Sequence, residues 1–177
     1  MGQTGKKPIT VEDLTTNLST YAIDREDLKA LLQTIPERND LNMATLEYEL
    51  QILRILSVGW AISFYMDQQP YKKRASLLFW EEIRQVAAKI STLLETTSGR
   101  AIDYFDILKQ RLDLYVRAMQ TNPDGSNEPT AVMGPAFAAA CDAPNNPIAI
   151  LVGTKMFTLC LGGVKSYLDC LEINFNL

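Results

Sequence analysis

The stretch from residue 42 to residue 66 restricts the fold of this chain more than any other part of its sequence. Leu46, Leu50 and Leu53 follow one another at helical spacing, and further leucines and isoleucines make the later half apolar nearly all round. A helix that is apolar on all sides is normally buried among other helices. Gly59 is small enough to let a neighbouring helix approach closely. The sequence therefore predicts a central helix surrounded by several others.

Capping side chains indicate where the surrounding helices begin. Thr10, Asp24 and Asp103 each combine a capping side chain with an aspartate three residues later, which resembles a capping box. Prolines, glycines and polar loops supply the other boundaries. The predicted helices begin near residues 10, 25, 42, 70, 103, 129 and 147, and Gly162-Gly163 is compatible with an interruption of the last one.

These helices define the expected fold class. We predict an all-α protein, a multi-helix bundle of up-and-down type with about six or seven helices. Residues 1–9 are expected to form a flexible N-terminal arm, and residues 10–177 a single helical domain. Within it, an N-terminal helical pair at 10–36 packs on a main bundle at 40–177. Sustained strand-like alternation is absent except where the last five residues could fit a strand.

The composition excludes several kinds of chemistry. The chain contains 0 His, which removes histidine-based catalytic triads and histidine metal sites. Glu47 and Glu49 lie about 200° apart around a helix and cannot share one metal ion. Nucleotide-binding glycine motifs are also missing. We therefore expect no metal, no cofactor and no catalytic residues, while an enzyme that uses Glu, Tyr, Lys or Cys stays open as an alternative.

Charge and cysteine content indicate the setting of the protein. The net charge is -4 and the pI is about 4.9, so we expect no nucleic-acid partner. Three cysteines without close pairs are typical of a reducing compartment, and we predict a cytoplasmic protein. The apolar stretches 52–66 and 147–164 lack the ~20 uninterrupted apolar residues of a spanning helix, so membrane association is not expected.

A polar row runs along the most apolar helix. Glu47, Gln51 and Arg54 are spaced at i, i+4 and i+7, which puts them on one stripe. The favoured interpretation is the solvent edge of that helix, with the Arg54 stem covering apolar surface. The alternative is a polar seam inside the bundle that contacts a ligand or another helix, which would require the charges to be paired.

The only basic run lies at the start of the fourth predicted helix. Lys72, Lys73 and Arg74 place cations at a helix N-terminus, where they oppose the helix dipole. Such a group could contact an anion or an acidic partner. A solvated first turn explains it equally simply and is the favoured interpretation.

Two aromatic residues of the central helix suggest a pocket. Trp60 and Phe64 would form ordinary core, or they would line an apolar pocket between the 46–66 and 147–163 helices. The function expected first is a non-catalytic interaction or assembly protein that self-associates as a homo-oligomer, most simply a homodimer. The alternative is a bundle that binds a small apolar molecule or a lipid in that pocket.

Overall fold

Seven helices and a two-stranded sheet form the regular structure of residues 6–121 and 128–174, the part of the chain that the computed structural model describes. The helical-bundle fold class is confirmed. The elements, in chain order, are β1 (Lys7–Thr10), α1 (Val11–Ile23), α2 (Glu26–Gln33), α3 (Met43–Tyr65), α4 (Lys72–Ser98), α5 (Tyr104–Gln120), α6 (Pro129–Ala140), α7 (Pro147–Asp169) and β2 (Leu171–Asn174).

Local capping explains where several helices begin. Four helices start directly after a residue whose side chain accepts a hydrogen bond from a backbone N–H of the first turn, which satisfies a donor that the helix leaves unpaired. These caps are Thr10, Asn42, Asp103 and Asn146. The predicted cap at Asp24 is displaced by one position, because α2 begins at Glu26. The Glu26 N–H still donates to the Asp24 carboxylate, at 3.2 Å.

The α3 helix occupies the centre of the bundle. Every residue from 52 to 59 is buried, and α3 packs against α1, α4, α5, α6 and α7. The predicted close approach at Gly59 is confirmed, since a Cβ atom there would lie 2.5 Å from Cζ2 of Trp80 on α4. The middle of α3 is therefore buried all round because neighbouring helices contact it on every side.

Helices that follow one another in the chain pack against each other. The pairs α3–α4, α4–α5, α5–α6 and α6–α7 are all in contact, as short connections favour. The N-terminal helices sit on this main bundle: α1 packs on α3 and α4, and α2 packs on α3 and α7. The junction between α1 and α2 thus lies over α3, where it meets the polar row formed by Glu47, Gln51 and Arg54.

The two ends of the described chain pair with each other. Lys7–Thr10 runs parallel to Leu171–Asn174, with Lys7 opposite Leu171 and Thr10 opposite Asn174. The expectation of a flexible arm is therefore wrong for residues 7–9, and residues 1–5 lie outside the described residues. Isoleucines at positions 9 and 173 pack against the core, which explains why this short polar segment is held.

The last helix, α7, is the most apolar long helix outside the centre. It runs from Pro147 to Asp169 without the interruption that Gly162-Gly163 suggested. By length and composition it could cross a membrane, with a mean hydropathy of 1.6 over its best window. It packs on α3 and α6 in this fold, and one such helix is weak evidence because core helices pass the same test.

Candidate ligand-binding site

The polar row of α3 faces the end of α1. A helix leaves its last four carbonyl oxygens without partners inside the helix. Arg54 Nε donates to the carbonyl oxygen of Tyr21 at 3.0 Å, and Gln51 Nε2 donates to that of Ala22 at 3.1 Å. Two side chains of α3 therefore satisfy the C-terminal carbonyls of α1. The Arg54 cation also lies at the negative end of the α1 dipole, which is favourable.

Arg54 is completely buried, with 0% of its surface exposed. Its NH1 donates to Asp27 Oδ2 at 3.0 Å, and its guanidinium carbon lies 4.4 Å from the centre of the Tyr21 ring. The favoured interpretation of a solvent edge is therefore wrong at Arg54. The seam interpretation describes the structure here, because a buried cation persists only when carbonyl, carboxylate and ring contacts replace water.

Glu47 lies at the solvent end of the same row. Its carboxylate forms an ion pair with Arg25, which lies between α1 and α2, and both side chains are about half exposed. A pair of that exposure contributes little to stability. The row thus passes from a solvated ion pair at Glu47, through half-buried Gln51, to the buried Arg54.

A groove opens beside the solvent half of this row, between α3 and α4. Its volume is about 580 Å³, which is within the range of small-molecule sites. We call it the α3–α4 groove. Its walls are predominantly apolar, and residues from the N-terminus of α5 and from the α1–α2 junction also line it. The lining residues are Ile23, Arg25, Ala44, Glu47, Tyr48, Gln51, Ile55, Val86, Ile90, Leu94 and Tyr104.

One buried polar atom of a groove residue, the amide oxygen of Gln51, lacks a partner among the described residues. Gln51 Oε1 is buried and has no hydrogen-bond partner among the described residues, although Nε2 of the same amide is paired. Tyr48 and Tyr104 stack edge to face with ring centres 6.0 Å apart. Most buried polar atoms in proteins are hydrogen-bonded. Ser19 Oγ, Arg54 NH2 and Tyr115 Oη are also buried and unpaired among the described residues, and Gln51 is the one of these four residues that lines the groove. Its oxygen is therefore the candidate acceptor for a donor from outside the chain.

The two phenols of the groove stay protonated over the physiological range. Burial raises the pKa of Tyr104, and the neighbouring Tyr48 and Glu49 raise it further. Burial and the Glu49 carboxylate likewise raise the pKa of Tyr48. Neutral phenols both donate and accept hydrogen bonds, so these groups favour recognition of a polar head group over proton abstraction.

Trp60 and Phe64, the other predicted ligand-binding residues, lie at a separate cavity. This cavity has a volume of about 490 Å³. These two residues line it from α3, and Phe157 and Leu161 line it from α7. It lies between the two helices for which the sequence predicts an apolar pocket. The structure therefore divides the predicted ligand-binding residues into three places: the groove, the buried Arg54 and this cavity.

The basic run at the start of α4 is largely paired within the protein. Lys72 forms an ion pair with Asp67, and Arg74 forms one with Glu12 on α1. Hydrogen bonding and charge from Lys72 lower the pKa of Asp67. Lys73 is exposed beside them. The three cations are directed to different protein partners or to solvent, which agrees better with a solvated first turn than with a converging anion site.

The strongest internal ion pair was not anticipated from the sequence. Glu49, of which 2% is exposed, accepts two hydrogen bonds from Arg111 on α5, at 2.8 Å to Nε and 2.7 Å to NH2. This bidentate pairing raises the pKa of Arg111. A signal existed: a carboxylate on a helix that is apolar all round needs a cationic partner, but the sequence does not say which arginine supplies it.

The buried thiols and phenols show no sign of activation. Burial raises the pKa of Cys141 and of Cys160 to about 12, while Cys170 is exposed. Burial also raises the pKa of Tyr115. Nucleophilic cysteines have the opposite shift. Among residues 6–121 and 128–174, no three Cys, Asp or Glu side chains are grouped so that they could hold a metal ion.

Comparisons with protein families, with curated proteins and with solved structures find no match for this chain.

Proposed function

We propose that this chain is a non-catalytic binding protein whose α3–α4 groove holds a small amphipathic molecule. The observation that carries the proposal is the buried Gln51 Oε1, an acceptor without a partner at the edge of an apolar groove of about 580 Å³. An amide oxygen in that position costs about 1–3 kcal/mol if nothing donates to it. A ligand donor removes that cost, so the groove favours occupancy.

The chemistry of the walls specifies the ligand class. Ile55, Val86 and Ile90 offer apolar contact to the body of the molecule. Its head group needs a hydrogen-bond donor for Gln51, as a hydroxyl or an amide supplies. A net charge is not required, because Arg25 and Glu47 at the rim already neutralise each other. We therefore expect a neutral molecule with an apolar body and one donating head group.

Native mass spectrometry with a matched pair of variants tests this proposal. Ala44 lines the groove and is exposed, so Ala44→Trp fills the groove without disturbing the core. Ala88 is exposed on α4 outside the groove, and Ala88→Trp is the control. We expect a co-purified mass in the wild type and in A88W, and its loss in A44W.

A thermal-shift panel of lipids and metabolites gives an independent readout. A ligand at 100 times its dissociation constant stabilises a protein by about 2.7 kcal/mol, which corresponds to roughly 5–10 °C for a chain of this size. An apo mass in all three proteins, together with no shift across the panel, contradicts the proposal. Equal shifts in A44W and in the wild type contradict the assignment to this groove.

Self-association and cytoplasmic location stay predictions. Large apolar side chains that are more than a third exposed occur on α3, α4 and α7, and Leu77 and Leu93 lie among polar residues of α4. Scattered exposed leucines are ordinary at protein surfaces, so the groove supports a function more strongly than any helix face. Sedimentation equilibrium at high micromolar concentration tests the homodimer, and a monomer there removes it.

A further inference from the structure

The cavity around Trp60 has a distinctive combination of aromatic rings and negative charge. Trp60, Phe64 and Phe157 line it from α3 and α7, and among the described residues of its wall Glu128, at the start of α6, is the charged one. Phe157 is fully buried, whereas 62% of Phe64 is exposed. The accessible aromatic surface of the cavity therefore comes from Phe64 and from the half-buried Trp60, while Phe157 belongs to the core.

The exposed ring of Phe64 has an aromatic neighbour on the same helix. Phe64 contacts Tyr65 edge to face, with ring centres 5.2 Å apart. A single exposed apolar side chain is ordinary at a protein surface. Phe64 differs because its exposed ring borders a cavity, where it is accessible to a ligand.

Within the described ranges, no arginine or lysine forms an ion pair with the Glu128 carboxylate. Glu128 is the N-cap residue of α6, yet its side chain makes no capping hydrogen bond. Among residues 6–121 and 128–174 the cations that lie over rings are Arg54, Arg84 and Lys109, and all of them lie over Tyr21 or Phe105. In the part of the chain that the structure describes, the rings and the carboxylate of this cavity thus have no cationic partner.

We propose that this cavity binds a small organic cation, a quaternary or alkylated ammonium group. The faces of aromatic rings attract cations, and a weakly hydrated ammonium leaves water at low cost. Val132 and Leu161 contact the alkyl groups, and Glu128 supplies the opposite charge. This site is separate from the α3–α4 groove, and neither proposal depends on the other.

Isothermal titration of the wild-type protein with choline and with 3,3-dimethylbutan-1-ol tests the charge requirement. The second compound replaces the ammonium nitrogen with carbon and keeps the shape. Cation–π contacts of about 1–2 kcal/mol correspond to about 5- to 30-fold tighter binding of choline. Equal dissociation constants for the two compounds, or no binding of choline, overturn the proposal.

Variants locate the binding. Phe64→Leu and Glu128→Gln are each expected to weaken choline binding at least about threefold. Glu95→Gln, a charge-matched change at an exposed residue of α4, should leave it unchanged. Trp80→Phe leaves Trp60 as the sole tryptophan, whose emission should change with choline. Binding unaffected by both cavity variants refutes the location, and A44W, which blocks the groove, should bind choline normally.

Discussion

Replacing Arg54 by methionine tests whether the buried end of the polar row fastens the N-terminal helices to α3. Methionine keeps most of the length and the apolar stem but removes the guanidinium. The change takes away the hydrogen bond to the Tyr21 carbonyl, the ion pair with Asp27 and the contact with the Tyr21 ring. The carbonyl at the end of α1 then loses its side-chain donor.

The structure sets the size of the effect. A hydrogen bond from a charged donor contributes about 1.5–3 kcal/mol, and a desolvated cation–π contact about 2 kcal/mol. Asp27 is 47% exposed, so its ion pair is screened and adds less than about 1 kcal/mol. Removing the costly desolvation of the guanidinium offsets part of this loss. We therefore expect the free energy of unfolding to fall by about 2–4 kcal/mol.

Urea denaturation measures the change, with Arg74→Met as the matched control. Arg74 pairs with Glu12 of α1, but both side chains are about half exposed, so this variant should change stability by no more than about 0.5 kcal/mol. Hydrogen exchange should speed up first in α1 and α2 of R54M. If R54M unfolds within 0.5 kcal/mol of the wild type, or if R74M loses as much, the reasoning fails.

Three further predictions concern helix packing, the reactivity of the thiols and the pH dependence of stability. Gly134→Ala should destabilise the protein by about 1–3 kcal/mol, because the new Cβ would lie 2.6 Å from a backbone carbonyl oxygen of α7. Gly162→Ala should stabilise the protein by about 0.5–1 kcal/mol, because its new Cβ meets no atom within 4 Å. Thermal melts in which both variants shift the midpoint in the same direction would contradict this prediction. With a thiol-specific reagent at pH 8 we expect one fast equivalent, from Cys170, and slow reaction of Cys141 and Cys160. The raised pKa values of the two buried thiols keep them protonated in the folded state. Their contribution to the free energy of unfolding is therefore complete below pH 9 and is lost as the pH rises towards about 12, by at most about 1.4 kcal/mol per thiol per pH unit. A free energy of unfolding that does not fall between pH 9 and 11 would contradict this prediction.

Helix positions were predictable because the signals for them are local. Thr10, Asn42 and Asp103 cap the helices that begin after them, and each acts on a backbone N–H three residues away. Gly99 ends α4 in a left-handed conformation, with φ of 67°, that glycine adopts without strain. The strand at residues 7–10 was missed because its partner lies more than 160 residues away in the sequence.

The candidate site was predictable only in part. The spacing of Glu47, Gln51 and Arg54 placed them on one stripe of α3, and the structure agrees. Whether that stripe is exposed or buried depends on where the α1–α2 junction packs on α3. Arg54 is buried because that junction covers it, and Glu47 is half exposed because the junction ends there.

By itself, the sequence determined that this chain is a bundle of helices around an apolar central one, because caps, prolines and 3.6-residue periodicity act within a few residues of each other. Only the tertiary structure decided that Glu49 pairs with Arg111, that α3 and α4 part to leave a groove, and that Trp60 and Phe64 meet Glu128 at a cavity. Each of these depends on packing between segments far apart in the sequence, where shape complementarity among several helices selects one arrangement.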